Sequence, residues 1–253
     1  MRFTCIFFFI MLSFTTSVKA NDDAGKDTLR IKYNISSDLN ITSGNLNSFV
    51  TQNRGTLDLE KRVFGVKTMV MYRYGTLNGV ENANEFNSLV TVSLFPRNKF
   101  YGFVNGGVES SFLRGFNLRS FGGAGVTWRA INTDKHKLEP FTNLMYEFTR
   151  FKTPIVVDGD TTNNLQTLRA VVGWTGTHKL VSGKFIITHG ARYQQSLMDL
   201  RNFRLESNFS IAIPIIKILS VKTGATYTYE NVVVPGRQNA DFVWTFGIAL
   251  SNI

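Results

Sequence analysis

From residue 28 onward the chain alternates apolar and polar side chains in one segment after another. In Thr28-Leu29-Arg30-Ile31-Lys32-Tyr33-Asn34-Ile35-Ser36-Ser37-Asp38-Leu39-Asn40-Ile41 the odd positions are almost all apolar and the even ones are polar or charged. A period of two is that of a β-strand, whose successive side chains face opposite sides, so this segment needs one apolar and one wet environment along its length. It exceeds the roughly 9 to 11 residues that a tilted strand needs to cross a bilayer. The last segment repeats the pattern, with Phe242, Trp244, Phe246, Ile248 and Leu250 on one face and Asp241, Thr245, Gly247, Ala249 and Ser251 on the other. A sheet with one face in hydrocarbon cannot leave a backbone edge unpaired there, so the first and last strands are expected to pair and close a barrel.

The expected fold class is therefore all-β: a closed antiparallel transmembrane β-barrel of about 12 strands. The expected strands are 28–41, 46–59, 64–76, 84–95, 99–112, 119–131, 140–151, 165–175, 181–194, 202–213, 217–229 and 240–251. With 43% hydrophobic residues and a mean hydropathy of −0.04, the chain is too polar for a bundle of membrane helices. Only residues 1–20 resemble a helix, and they read as a cleaved signal peptide. Met1-Arg2 gives the positive start, residues 3–14 the apolar stretch, and Val18-Lys19-Ala20 a small-residue cleavage site. Residues 21–253 are then the barrel, as a single domain. Cutting after Ala20 removes Arg2 and Lys19 and lowers the net charge from +10 to +8. It also removes Cys5, the single cysteine, leaving no disulfide, thiolate or zinc-cysteine site.

Connection lengths and aromatic residues set the orientation. Barrels of this kind have short periplasmic turns and longer external loops. With a periplasmic N-terminus, Pro96-Arg97-Asn98-Lys99, Gly176-Thr177-His178-Lys179 and Pro214-Ile215-Ile216-Lys217 are short periplasmic turns, and 151–164 and 230–239 are the longest external loops. The 132–138 connection and the short turn at Ser43 run against that rule. Tyr72, Tyr74, Phe86, Tyr146, Phe148, Tyr193, Phe203, Tyr227, Tyr229 and Phe242 fall near external strand ends on the lipid face. Phe100, Trp128, Trp174 and Phe185 fall near periplasmic ends, giving two interfacial girdles. Tyr101 and Phe103 land on the polar face instead. A soluble sandwich or lipocalin-like barrel would also alternate, but it would turn its apolar face inward and carry charge on its outside.

The residues do not point to catalysis, and no enzyme activity or cofactor is expected. Acyl hydrolases built on such barrels need a histidine beside a serine on one strand face. His136, His178 and His189 lack that partner; the first two are expected in periplasmic turns and the third on the lipid face. Phe121-Gly122-Gly123-Ala124-Gly125 lacks the Lys-Ser/Thr and helix of a phosphate loop and reads as a curved strand. Asp158-Gly159-Asp160 supplies too few oxygens for a calcium site. The basic residues do not cluster as a nucleic-acid surface would require; they alternate along the strands and so point to one face, the lumen. Arg30, Lys32, Lys67, Arg73, Arg129, Arg169, Lys184, Arg192, Arg204 and Lys222 are expected to point inward, with Asp38, Glu109, Glu147, Glu206 and Asp241. The nominated pore lining is Arg30, Lys32, Lys67, Arg73, Arg129, Arg169, Arg192, Arg204, Glu109, Glu147 and Glu206. Twelve strands is intermediate between a filled barrel and a channel, so these side chains either line a narrow anion-favouring path or pair across the lumen and plug it.

Short motifs add a family likeness. Thr42-Ser43-Gly44-Asn45 after the first strand, Gly123-Ala124-Gly125-Val126-Thr127-Trp128-Arg129, Asn132-Thr133 and His136-Lys137-Leu138 resemble the YdiY-like family of salt-induced outer-membrane proteins. The resemblance implies a barrel of unassigned activity linked to salt or envelope stress, with no catalytic residues to carry over. The chain ends at Ile253 rather than at the usual outward aromatic. The expected setting is the bacterial outer membrane, reached through the periplasm, with membrane lipid, lipopolysaccharide and the barrel-assembly machinery as partners. The expected function is a narrow pore for small solutes or ions with weak anion preference, or else a closed barrel serving as a scaffold in a surface complex.

Overall fold

The computed structural model describes residues 28–44, 47–157 and 160–252. The expected signal peptide, residues 45 and 46, residues 158 and 159 of the Asp-Gly-Asp motif, and Ile253 lie outside them. Twelve long strands and one short one follow in order: β1 (Arg30–Thr42), β2 (Ser48–Glu60), β3 (Phe64–Leu77), β4 (Val80–Leu94), β5 (Phe100–Ser111), β6 (Phe116–Trp128), β7 (Ile131–Asn132), β8 (His136–Val157), β9 (Asp160–Leu180), β10 (Phe185–Ser196), β11 (Phe203–Pro214), β12 (Leu219–Glu230) and β13 (Ala240–Ser251). Neighbours in sequence pair antiparallel, β6 pairs with β8 past the two-residue β7, and β1 pairs with β13. The sheet is thus a closed twelve-stranded barrel.

Register separates the two faces as alternation requires. Glu147 on β8 pairs with Thr167 on β9, Arg192 on β10 with Glu206 on β11, and Arg73 on β3 with Glu85 on β4, all on the inward face. The outward face carries Val104, Val172, Trp174, Phe209 and Ile248, all exposed. The two girdles form: Phe203 packs between Tyr193 and Tyr229 at ring distances of 5.9 and 5.7 Å, and Phe100 stacks on Trp128 at 6.1 Å. Tyr101 and Phe103 lie on the inward face, in the register of Ser93 opposite Phe103.

Several boundaries differ from the sequence expectation. β4 begins at Val80, because Asn78 and Gly79 (φ 50° and 80°) make a two-residue turn of the kind that matches strand twist. The expected external loop 151–164 is instead a hairpin tip, with β8 and β9 running on to Val157 and Asp160 past an irregularity between Arg150 and Ile155. At the other end β9 continues to Leu180, so Gly176-Thr177-His178-Lys179 is strand. The turn comes at 181–184, where Val181, Ser182 and Gly183 all have positive φ. Lys184 caps this turn rather than lining the lumen.

Inside the barrel, small residues make space for large ones. The Phe121 ring lies across Gly107 on the next strand, and a Cβ at Gly107 would come within 2.7 Å of Phe121 Cζ. Gly107→Val is expected to destabilise the folded barrel by about 1 to 3 kcal/mol, the usual cost of overpacking. Urea unfolding in detergent checks this, and an unchanged midpoint would contradict it.

Candidate functional site

The most densely charged part of the molecule lies in the lumen towards the external end. Glu147 is completely buried, and Arg204 grips it with both Nη atoms, Nη2 at 2.7 Å from Oε1. Arg169 donates to the same carboxylate at 3.3 and 3.4 Å, and Thr149 Oγ1 donates at 3.2 Å. Glu230 is held in the same way: Arg119 binds both oxygens at 3.0 and 2.9 Å, Arg114 adds 2.9 Å and Arg204 Nε lies 3.2 Å away. Glu109 joins through Arg114 and Arg119 at 3.4 and 3.5 Å. Four guanidiniums therefore surround three carboxylates. Two-point Arg–carboxylate pairs are the strong, directional form of this interaction.

The cluster is roofed on the external side. Phe116, Phe151, Ile155 and Val234 form a buried apolar group drawn from β6, β8 and the β12–β13 connection. Arg119 lies over the Phe116 ring at 4.1 Å and Arg114 at 5.0 Å, so the roof also binds the charges beneath it. Arg114 sits in the turn between β5 and β6. Burial works against its charge, but Glu230 and Glu109 outweigh that and hold it above the usual guanidinium range. The space left beside the cluster is about 20 Å³, room for about one water.

The nominated lining residues fall into two groups. Arg169, Arg204, Glu109 and Glu147 belong to the cluster, and Arg192 pairs with Glu206 at 2.6 Å. Arg129 is in a second group at the periplasmic mouth, bonded to Glu139 at 2.9 Å and Glu60 at 3.4 Å; Arg30 reaches Glu60 at 3.8 Å. Lys32, Lys67 and Arg73 face the lumen on β1 and β3 without a salt bridge to any described residue. The lumen is thus divided: the β5–β12 side is filled by tightly bonded charges, and on the β1–β3 side Lys32 and Lys67 flank Asp58 and Arg73 stands opposite Glu85 in register without closing to salt-bridge distance. Arg114, Arg119 and Glu230, three members of the cluster, are missing from the nominated set. Arg119 and Glu230 fall at or beyond the edges of the expected strands, where alternation no longer reports a face, and Arg114 lies in a turn.

All three histidines of the chain meet on the outer face near the periplasmic end. His136 and His178 belong to β8 and β9, not to turns, and are directly paired across them. Trp174 Nε1 donates to His189 Nδ1 at 3.2 Å, the Nε2 atoms of His189 and His178 are 3.0 Å apart, and the Nδ1 atoms of His178 and His136 are 3.1 Å apart. Since the indole can only donate, the direction of the row is fixed: His189 donates to His178, which donates to His136. The rings run in line, and both nitrogens of His178 are used by other rings. Among the described residues no group of His, Cys, Asp or Glu is arranged to hold a metal ion.

Comparison with known proteins places this geometry. Residues 39–251 match the family described as a protein of unknown function, DUF481, and the chain belongs to that family. Among solved structures it is similar to the NanC porin, with a TM-score of 0.52 and 11% identity, over 87% of this chain and 99% of that one. It is also similar to the translocator domain of the autotransporter NalP from Neisseria meningitidis (0.43, 13% identity, 90% of each chain) and to an anion-selective porin from Comamonas acidovorans (0.41, 7% identity, 88% and 99%). No curated protein matches it. The fold is therefore that of an outer-membrane β-barrel, in a family of uncharacterised activity.

Removing one member of the cluster leaves others buried without a partner. Glu147→Gln is expected to cost about 3 to 5 kcal/mol of barrel stability, the range for breaking a buried ion pair from one side. Arg192→Gln, at the partly buried pair, is expected to cost less. Urea unfolding of both variants in detergent checks the order, and equal losses would contradict it.

Proposed function

We propose that this chain is an outer-membrane pore of low conductance that passes small ions along the β1–β3 side of its lumen, with a preference for anions. The observation that carries the reading is the division of charge. Glu109, Glu147 and Glu230 are taken up by the cluster and Glu85 by Ser111 and the Leu113 amide, while Arg73, Lys67 and Lys32 on the other wall make no salt bridge to a described residue, although Asp58 lies between the two lysines in register. Cations lining a narrow path lower the barrier for anions and raise it for cations. Export through the periplasm, insertion by the barrel-assembly machinery and contact of the external loops with lipopolysaccharide belong to the same proposal. So does the link to salt or envelope stress that the YdiY-like resemblance implies.

A second reading, a closed barrel acting as an envelope scaffold, is favoured by one observation: the cluster leaves almost no space around itself. In that case the external loops would carry the activity by binding a partner.

Planar-bilayer recording of residues 21–253 across a KCl gradient separates the two. The pore reading expects small, steady conductance with an anion-selective reversal potential, and reduced selectivity in Arg73→Gln. Silence from a barrel that shows the heat-dependent gel mobility of a folded one would overturn the pore and leave the scaffold.

A further inference from the structure

The barrel closes along an incomplete seam. β1 pairs with β2 over thirteen residues and β13 with β12 over eleven, but β1 and β13 pair with each other over only five, from Asn34↔Ser251 to Asp38↔Gly247. Beyond that rung towards the external end, the facing edges of 39–42 and 240–246 have no ladder between them. A cavity of about 230 Å³ lies at this gap. Its wall includes Val243 and Thr245, which face the lumen, and also Phe242, Trp244 and Phe246, which face outward. The space is bordered by Leu39 and Asn40 on one edge and by the continuous run 242–246 on the other, so it lies between the two strand edges where the ladder has ended.

The chemistry changes across the gap. On the outer side Trp244 stacks on Phe246 at 6.1 Å and meets Phe242 edge-on at 6.3 Å, and Leu39 and Ile41 are exposed on the opposite edge. On the inner side are Arg73, whose Nε has no hydrogen-bond partner, and Asp38, 3% exposed, whose Oδ1 also has none. Asp38 Oδ2 accepts from Gln52 at 3.5 Å and lies 3.8 Å from Lys222 Nζ. Asp38 Oδ1 fills the space that a side chain on Gly247 would need, so the last closed rung depends on that glycine.

We propose that this seam is a lateral portal for a single-chain amphiphile of the fatty-acid class. Its acyl chain lies between the aromatic edge of β13 and the aliphatic edge of β1, and its carboxylate lies in the lumen against Arg73. The site offers one guanidinium, opposite a Glu85 already bonded to Ser111 and the Leu113 amide, with the Asp38 carboxylate on the same cavity wall, which suits a monoanion and disfavours a doubly charged phosphate. At about 230 Å³ the space takes a small head and a few methylenes but not a diacyl headgroup. Strand edges left open at membrane depth are tolerated only where they border a water-filled or occupied space, as a portal does. The inference rests on the barrel spanning a membrane and not on ion conduction, so a silent barrel leaves it standing.

The test is photo-crosslinking in phosphatidylcholine vesicles with a long-chain carboxylate bearing a mid-chain diazirine, read by peptide mass spectrometry. Native protein is expected to carry adducts on lumen-side Val243 and Gln52 as well as on outer-face Trp244. Arg73→Gln is expected to lower the lumen-side adducts about tenfold, the effect of losing one charge-assisted contact, and leave Trp244 labelled. Val50→Trp, which fills the cavity from inside, is expected to abolish them. All variants are first shown to be folded by heat-dependent gel mobility. Labelling confined to Phe242, Trp244 and Phe246 would overturn the portal. Equal lumen-side labelling by the corresponding long-chain alcohol, or equal or stronger labelling by a phosphate-headed probe, would overturn the carboxylate assignment. Lumen-side adducts unchanged in Arg73→Gln would do the same. A covalent dimer joined between β1 and β13 of two copies would show that a second chain occupies the seam and would also overturn it.

Discussion

Two buried carboxylates, Glu147 and Glu230, organise the inside of this barrel. Each is bound by several guanidiniums in a space with almost no room for water, where an unpaired charge would cost several kcal/mol. The pairs therefore act as a set: Arg204 and Arg119 each touch both carboxylates, so moving one side chain exposes the others. They tie β6, β8, β9, β11 and β12 together across the lumen, work that neighbouring backbone ladders cannot do. The apolar roof of Phe116, Phe151, Ile155 and Val234 keeps water from the cluster and so keeps the pairing strong.

Everything on the other side of the lumen follows from this concentration of charge. With Glu109, Glu147 and Glu230 committed to one side, the cations of the β1–β3 wall keep only Asp58 and Glu85 as register neighbours, outside salt-bridge distance, and a cavity of the external half lies next to the β1–β13 seam. That seam is also where the barrel is least continuous. A packed cluster on one side and a cavity at the seam on the other underlie both the proposed narrow ion path and the proposed lateral portal. Neither needs a symmetric channel.

Much of the architecture was legible in the sequence because a bilayer imposes a strict period of two. Residues such as Arg30, Lys67, Arg169 and Glu206 were placed on the inward face by parity alone, and the aromatic girdles at Phe203 and Trp128 came from the same rule. Alternation says nothing, however, about where a strand stops. Thr177 to Leu180 continue the alternation of β9, and only the positive φ angles at 181–183 mark the turn. Nor does parity say which inward charges meet. Arg129, Arg169 and Arg192 look equivalent in sequence, yet they belong to a group at the mouth, a buried cluster and a partly buried pair. The histidine row was invisible for the same reason: it depends on register across β8, β9 and β10, with contacts spanning up to 42 positions in the chain.

The division of the lumen is tested most directly by thiol accessibility from outside the membrane. Beyond residue 20 the chain contains no cysteine, so single cysteines report without background. A membrane-impermeant thiol reagent added externally to the folded protein is expected to modify Asn40→Cys, beside the seam cavity. It is expected to leave Thr167→Cys, 1% exposed behind the ion cluster, unmodified. Equal rates at the two positions would contradict a lumen that is sealed on one side and open on the other.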